Sequence, residues 1–467
     1  MDNMDIYEEM DATPEASAPS TSKLSSAPVV VTIDDAHPFD LDAYIAGYTG
    51  RTAIDHLMYI ISSAPSLAPL ALKRALELLV EPTQRDTSLY QSLLSVYATA
   101  GDVSGAQMPE LDVVIPDPSL YIKWVDETTE RNVTERTKLE VELKTYTNNS
   151  IKESIRLAHR DLAAFHRASG NIESALRHLT KSREFCTTAN HMLEMCLSVL
   201  ELLMEQRNFA HLPTYVFKAE SALESAATQM APPSQSQTAS AASSKKSDLQ
   251  HSTEAKLTLA TGLSLLSNRN YNKAAYKFLL PVPQGALAPW IGTLIAPGDA
   301  GTYGTLCALA TMDRTEIKRR FASGEGALGE GEGMKDLVDA WLGSRFRTVI
   351  QLLEKYTTRH ALDPLLAPHA RALASMIRAR ALALYFQPFS TIRLERMSAA
   401  FGWTVEETEK EVVSLIKRGD ILGRVDSQNK ILKARSTDPR TQLYNNALKV
   451  GTDMQNSTRK LLLRMRL

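Results

Sequence analysis

Three stretches of this chain repeat one pattern, and that pattern narrows the folds open to it. LAAFHRASGNIESALRHL (162–179), LELLMEQRNFAHLPTYVF (200–217) and LSLLSNRNYNKAAYKFLL (263–280) each run an apolar helix into a polar turn with Asn, then an Ile or aromatic residue, then a second apolar helix. The shared apolar positions are Ile172, Phe209 and Tyr271, 37 and 62 residues apart. Setting aside a polar tract at 228–250 reduces the second interval to 39. Further helix pairs are read around Met312 and around Phe346, in WLGSRFRTVIQLLEKY. Helix pairs recurring at about 34–41 residues mark a TPR-like solenoid. Each pair buries its apolar face only against its neighbours, so the array needs a cap at both ends.

The upstream chain fits an all-α fold. Aromatic residues are 6% of the chain while Ala and Leu abound, a helix-rich composition. Leu41, Tyr44, Ile45 and Tyr48 sit at helical spacing up to a break at Gly50, and Thr52–Ile61 and Pro69–Val80 follow as amphipathic helices. A Gly- and Pro-rich break (Gly101–Pro118) precedes a long helix, Ser119–Tyr146, whose mixed charges suit a solvated face. Residues 1–36, acidic and then rich in Ser, Ala and Pro, are expected to be a disordered tail. The tract AATQMAPPSQSQTASAASSKKS reads as a flexible insertion at 226–250.

The C-terminal cap is legible in YFQPFSTIRLERMSAAFGWTVEETEKEVVSLIKRGDILGRVDSQNKILKA (385–434). Pro388 ends the preceding helix near Phe386. Ser390 is the expected cap of a helix carrying Ile392, Leu394, Met397 and Ala400, closed by Gly402. Thr404 and Glu407 form a capping box for the next, which Gly419 closes. Ile421–Val425 and Lys430–Leu432 then flank 426–429 as a hairpin. That order is a winged helix. Beyond it, 436–467 reads as one last helix with an apolar heptad seam of Leu443, Ala447, Val450, Met454 and Leu461, packed on its own domain or left for partner helices.

Chemistry is hard to place on this chain. Its histidines include no HxH and no HExxH, and Cys186, Cys196 and Cys307 give neither a disulfide framework nor a metal spacing. His159 and His166, seven apart on one helix, have no third ligand in view, so packing is expected of them. Gly324, Gly326 and Gly329 match GxGxxG, but no strand precedes them and Glu325, Glu330 and Glu332 would repel a pyrophosphate. No catalytic residue, cofactor or metal is therefore assigned. No apolar run spans a bilayer, the N-terminus lacks a hydrophobic signal core, and a net charge of −2 creates no global field. A soluble intracellular protein is expected.

Winged helices often bind nucleic acid, and residues 391–467 carry 15 Lys/Arg against 9 Asp/Glu. Yet the first turns of the second helix, which would face phosphates, hold Glu406, Glu407, Glu409 and Glu411 against Lys410 alone. Four carboxylates there oppose phosphate binding. Protein docking is favoured, with exposed wing edges free to extend a partner's sheet.

Helical repeats ending in a winged helix resemble the PCI domain shared by the proteasome lid, the COP-nine signalosome and translation initiation factor three. NNSIKESIRLAHRDLAAFH, SALRHLTKSREFCTTANHMLEMCL, YVFKAESALE and FDLDAYIAGYTGRTAIDHLMYI, with the winged-helix stretch, look like the signalosome's subunit 1 family. The resemblance implies a helical-repeat domain over 37–290, a PCI domain over 291–435 (helical to 387, winged helix 388–435) and a bundle helix over 436–467. It implies a non-enzymatic scaffold in the cytoplasm and nucleus. Its partners would be other signalosome subunits, including the metalloprotease that strips a ubiquitin-like modifier from cullin-RING ubiquitin ligases, and it could touch those ligases directly. Neither a membrane nor nucleic acid is an expected partner. Ile421, Val425 and Ile431 of the wing, with Leu443, Val450, Met454 and Leu461, are the candidate partner-binding residues. The alternatives are the paralogous lid scaffold and, in another class, a winged-helix nucleic-acid-binding or initiation-factor subunit.

Overall fold

In a computed structural model, the structure describes residues 31, 39–104, 109, 111–115, 117–229, 240–283, 285–322, 333–435 and 439–465. The amino-terminal unit is a small helical array: α1 (Leu41–Ile45), α2 (Gly50–Ser63), α3 (Ala68–Leu79), α4 (Ser88–Ser104) and α5 (Leu111–Val114). Leu41, Tyr44, Ile45 and Tyr48 are all buried there. Helix α6 (Pro118–Asn148) leads into the repeats, the pairs α7 (Lys152–Ala168) and α8 (Ile172–Ser182), α9 (Ala189–Glu205) and α10 (Leu212–Gln229), α11 (Ser240–Ser267) and α12 (Tyr271–Phe278). Then come α13 (Asp299–Thr311), α14 (Arg314–Ala322), the pair α15 (Met334–Leu342) and α16 (Phe346–Lys355), α17 (Thr357–Leu362) and α18 (Ala367–Phe386).

The repeat has a backbone cause. Gly170, Arg207, Arg269 and Ser344 all adopt left-handed conformations, with φ of 82°, 56°, 57° and 56°. The next N–H then reaches five residues back: Asn171 to His166 O, Asn208 to Leu203 O, Asn270 to Leu265 O and Arg345 to Ala340 O, each at 2.9 Å. This closure satisfies carbonyls that the helix end leaves open. Asn171 and Asn270 go on to cap the second helix, accepting from the N–H groups of Ser174 and Lys273 at 3.2 and 3.5 Å. Ile172, Tyr271 and Phe346 thereby open α8, α12 and α16.

One apolar core runs from Ala163 in the first repeat to Leu432 in the wing, so the repeats and their cap are packed as a continuous body. A second core lies among residues 41–124 and takes in Ala296 and Leu362 from the middle of the chain. The junction is polar. Thr49 N–H donates to Gly292 O at 2.7 Å, Tyr48 O–H to Asp299 Oδ2 at 2.6 Å, and Tyr303 O–H to Asp363 Oδ2 at 2.5 Å. Burial raises the Asp299 carboxyl to about 7, with Asp363 adding to the shift and the Tyr48 hydrogen bond opposing it. Burial likewise raises Asp363.

The winged helix comprises β1 (Thr391–Arg393), α19 (Leu394–Phe401), α20 (Val405–Arg418), β2 (Gly423–Asp426) and β3 (Ile431–Ala434). The sheet order is β1-β3-β2, both pairings antiparallel. The capping box is formed: Thr404 Oγ1 accepts from Glu407 N–H while Glu407 Oε2 accepts from Thr404 N–H. Gly402 and Gly419 close their helices at φ 74° and 86°. Ser390 caps no helix. Its carbonyl accepts from Ala434 N–H at 2.7 Å, and the segment after it is a strand burying Ile392, so the helix begins three residues later than expected. The hairpin strands also begin later than read, at Gly423 and Ile431.

Two expected loops are partly helical. Within Gly101–Pro118, α4 continues to Ser104 and α5 forms at Leu111–Val114. Around the 226–250 tract, α10 runs to Gln229 and α11 starts at Ser240, and 230–239 lie outside the described residues. The tail over 1–36, Val31 apart, and the GxGxxG match at 324–329 lie outside them as well. The last helix, α21 (Pro439–Met465), is about 40 Å long at 1.5 Å per residue.

Candidate partner-binding site

The winged helix fastens its own acidic helix. Glu409, midway along the first half of α20, accepts from Ser427 Oγ and Lys430 Nζ of the wing, each at 2.6 Å. Those two bonds hold its carboxyl below the usual carboxylate range. Glu406, Glu407 and Glu411 remain exposed around it. A duplex laid against α20 would therefore meet carboxylates, with the wing lysine nearest them already neutralised.

The candidate residues divide sharply. Ile421 is 3% exposed and packs in the core, so it supports the wing from within and is not itself a docking residue; the exposed side chain there is its neighbour Leu422. Val425 faces inward, half-buried against the core, while Ile431 is half-buried at the start of β3. Leu443, Val450, Met454 and Leu461 are 75%, 67%, 72% and 58% exposed. Every side chain from Arg440 to Met465 is exposed. At 100° per residue, Leu443, Ala447, Val450, Met454, Leu461 and Met465 fall within an arc of about 60°. Tyr444 and Leu462 are exposed at one flank of that arc, Leu448 lies farther round and Leu463 on the opposite face; all four were missed by the heptad pattern, which tracks one seam only.

Among the described residues no group of three or more His, Cys, Asp and Glu side chains is placed to hold a metal ion. His159 and His166 pack on His178, which lies between them with ring centroids at 5.3 and 5.4 Å. Burial lowers all three, His178 to about 4. Cys196 and Cys307 are buried, and burial pushes the Cys307 thiol to about 12. No helix among the described residues is long and apolar enough to cross a membrane.

A helical-repeat trunk, a winged-helix cap and an exposed apolar terminal helix define a PCI-type scaffold protein. The PCI domain model matches residues 353–436, and that of the 26S proteasome subunit RPN7 matches 122–320. Subunit 1b of the COP9 signalosome complex of Drosophila melanogaster is 31% identical over 464 residues, covering 91% of this chain and 84% of the relative. Subunit 1 of the Arabidopsis thaliana complex is 31% identical over 440 residues, covering 93% and 91%. The chain belongs to the COP9 signalosome subunit 1 family. The 26S proteasome non-ATPase regulatory subunit 6 of Oryza sativa is 22% identical over 210 residues, covering 44% of this chain and 53% of its own length.

Proposed function

We propose that this chain is a non-catalytic scaffold of a COP9 signalosome, joining PCI neighbours through its wing and a bundle of subunit helices through α21. It supports the removal of a ubiquitin-like modifier from cullin-RING ligases in cytoplasm and nucleus, with the metalloprotease chemistry on another chain. The observation that carries this reading is α21, some 40 Å of helix whose apolar arc stands in solvent. Burying a Leu, Val or Met side chain contributes about 1.5–3 kcal/mol each, before ordering costs. Four such residues in a bundle contribute about 6–12 kcal/mol toward association before those costs; in water they are an aggregation liability.

Truncation after Ser436 tests it. The trunk should keep its helical circular dichroism while affinity purification from cells loses the signalosome subunits. Normal co-purification of those subunits by the truncated chain sinks the bundle role, and recovery of proteasome lid subunits in their place would shift the assignment to the lid. The isolated full chain should not release the modifier from a cullin conjugate; turnover unaided would refute the scaffold reading.

A further inference from the structure

We propose that the cavity between the amino-terminal unit and the first two repeats is a binding site for a small organic acid, one carboxylate on a short apolar body. The site lies apart from the wing and from α21, and the scaffold reading does not require it. Its volume is about 320 Å³, at the small end of the ~300–1,000 Å³ usual for ligand pockets. Gly50, Arg51 and Gln84 reach it from the amino-terminal unit, and α7, α8 and α9 close the other sides.

Gln84, in the turn between α3 and α4, is the residue that marks a ligand. It is 9% exposed and lines the cavity, yet among the described residues its side-chain amide makes no hydrogen bond. Buried amides are ordinarily paired, and an unpaired one is destabilising. A Cβ added at Gly50 would stand 3.7 Å from Gln84 Nε2, so the amide sits over the first residue of α2. Thr49 places no side-chain cap on that helix, which leaves its first N–H groups to receive an anion beside the amide.

The other side chains set the ligand's charge and shape. Arg51 is committed to Asp86 at 2.6 Å, and Arg167 to Glu201 at 2.7 Å and Glu205 at 2.5 Å. Arg160 pairs only with its sequence neighbour Asp161, at 3.5 Å with both side chains half exposed, a contact of little strength. Three guanidinium groups against Asp86 and Glu205 leave one positive charge on the lining. A monoanion balances it; a phosphate dianion does not. Ala163, Leu179 and Leu202 are buried and give the cavity an apolar wall.

The probe is 4-methylpentanoate, titrated into the full-length chain and read by saturation-transfer NMR, with 4-methylpentan-1-ol as its neutral counterpart and inorganic phosphate as competitor. The acid should bind with a Kd on the order of 1 mM, the alcohol about tenfold more weakly, and phosphate should not displace it. Gln84→Leu keeps the bulk and removes the amide. It should weaken the acid about tenfold and, with an unpaired buried group gone, raise the Tm of the free chain. Arg160→Gln should weaken the acid about threefold at low salt and less at high salt. A lowered Tm in Gln84→Leu marks the amide as structural and overturns the proposal. So do acid and alcohol binding equally, displacement by phosphate, or no binding of the acid. Subunit co-purification is scored separately, so neither result bears on the other.

Discussion

Replacing Gly170 with alanine probes how the first repeat is locked to the amino-terminal unit. Gly170 sits at φ +82°, and a Cβ there would stand 2.0 Å from Asp86 Oδ2. That carboxylate is buried and accepts from Arg51 Nη1 at 2.6 Å and from the N–H and Oγ of Ser88 at 3.0 and 2.6 Å. Gly419 is the control: φ is +86°, yet nothing lies within 4 Å of an added Cβ. Both substitutions incur the left-handed cost of alanine, about 1–2 kcal/mol. Only at Gly170 must Asp86 also move. Losing one partner of a buried pair costs about 3–5 kcal/mol; the Arg51 side chain is 28% exposed and partly rehydrated, so about 2 kcal/mol is the better figure here. Gly170→Ala should therefore cost about 3–4 kcal/mol and Gly419→Ala about 1–2, read from urea unfolding by circular dichroism. In an Asp86→Ala background the cost of Gly170→Ala should fall to about 1–2 kcal/mol, a coupling of about 2. Equal costs at the two glycines, or a cost unrelieved by Asp86→Ala, would refute the reasoning.

Two further outcomes follow from single groups. Thr404→Ala removes the acceptor for Glu407 N–H and should lower stability by about 1 kcal/mol in thermal unfolding. Asp299, raised from 3.8 to about 7 by burial, keeps in the folded chain a proton that the unfolded chain has released, so its contribution is present below the unfolded value and is lost as pH rises to about 7. His56 and His360, lowered by burial to about 3 and about 4, act in the opposite sense, their contribution being lost as pH falls below the unfolded value of 6.5. The Asp299 share is isolated by Asp299→Asn: its stability relative to the native chain should climb between pH 4 and 7 in parallel denaturant titrations, and a flat difference would place the proton elsewhere.

Much of the trunk was legible because its repeating signal is local. In three of the four turns an Asn stands one place after the left-handed residue, with Arg345 in its place in the fourth, and the apolar residue after it packs against the core, so three positions in a row carry the pattern. The capping box at Thr404 was readable for the same reason. Strand β1 was not: three residues are too few for a period-two signal, and their partners, Ile431–Lys433, lie about forty positions downstream. Ser390 looked like a cap because its residue type suits one, yet its carbonyl is used by the sheet. Ile421 was read as a docking residue because strand propensity does not say which face is inward. The junction was equally hidden, since Tyr48 and Asp299 are 251 residues apart and nothing local marks either as buried polar.

The winged helix uses its two signs of charge differently. Glu407 closes the capping box and Glu409 holds the wing through Ser427 and Lys430, so two of the four carboxylates that would repel a phosphate backbone are also parts of the fold. A DNA-binding descendant would have to replace groups that stabilise α20 and the hairpin, and would lose the wing's anchor in doing so. The cations follow the opposite rule: Arg393, Arg424, Lys433 and Arg435 stand on the face turned away from the core, none in an ion pair within the described fold. Acidity is thus built in and basicity left over. Arg424 and Lys433 stand directly opposite each other in the β2–β3 register, a like-charge pair that the sheet disfavours and whose cost water and salt screen.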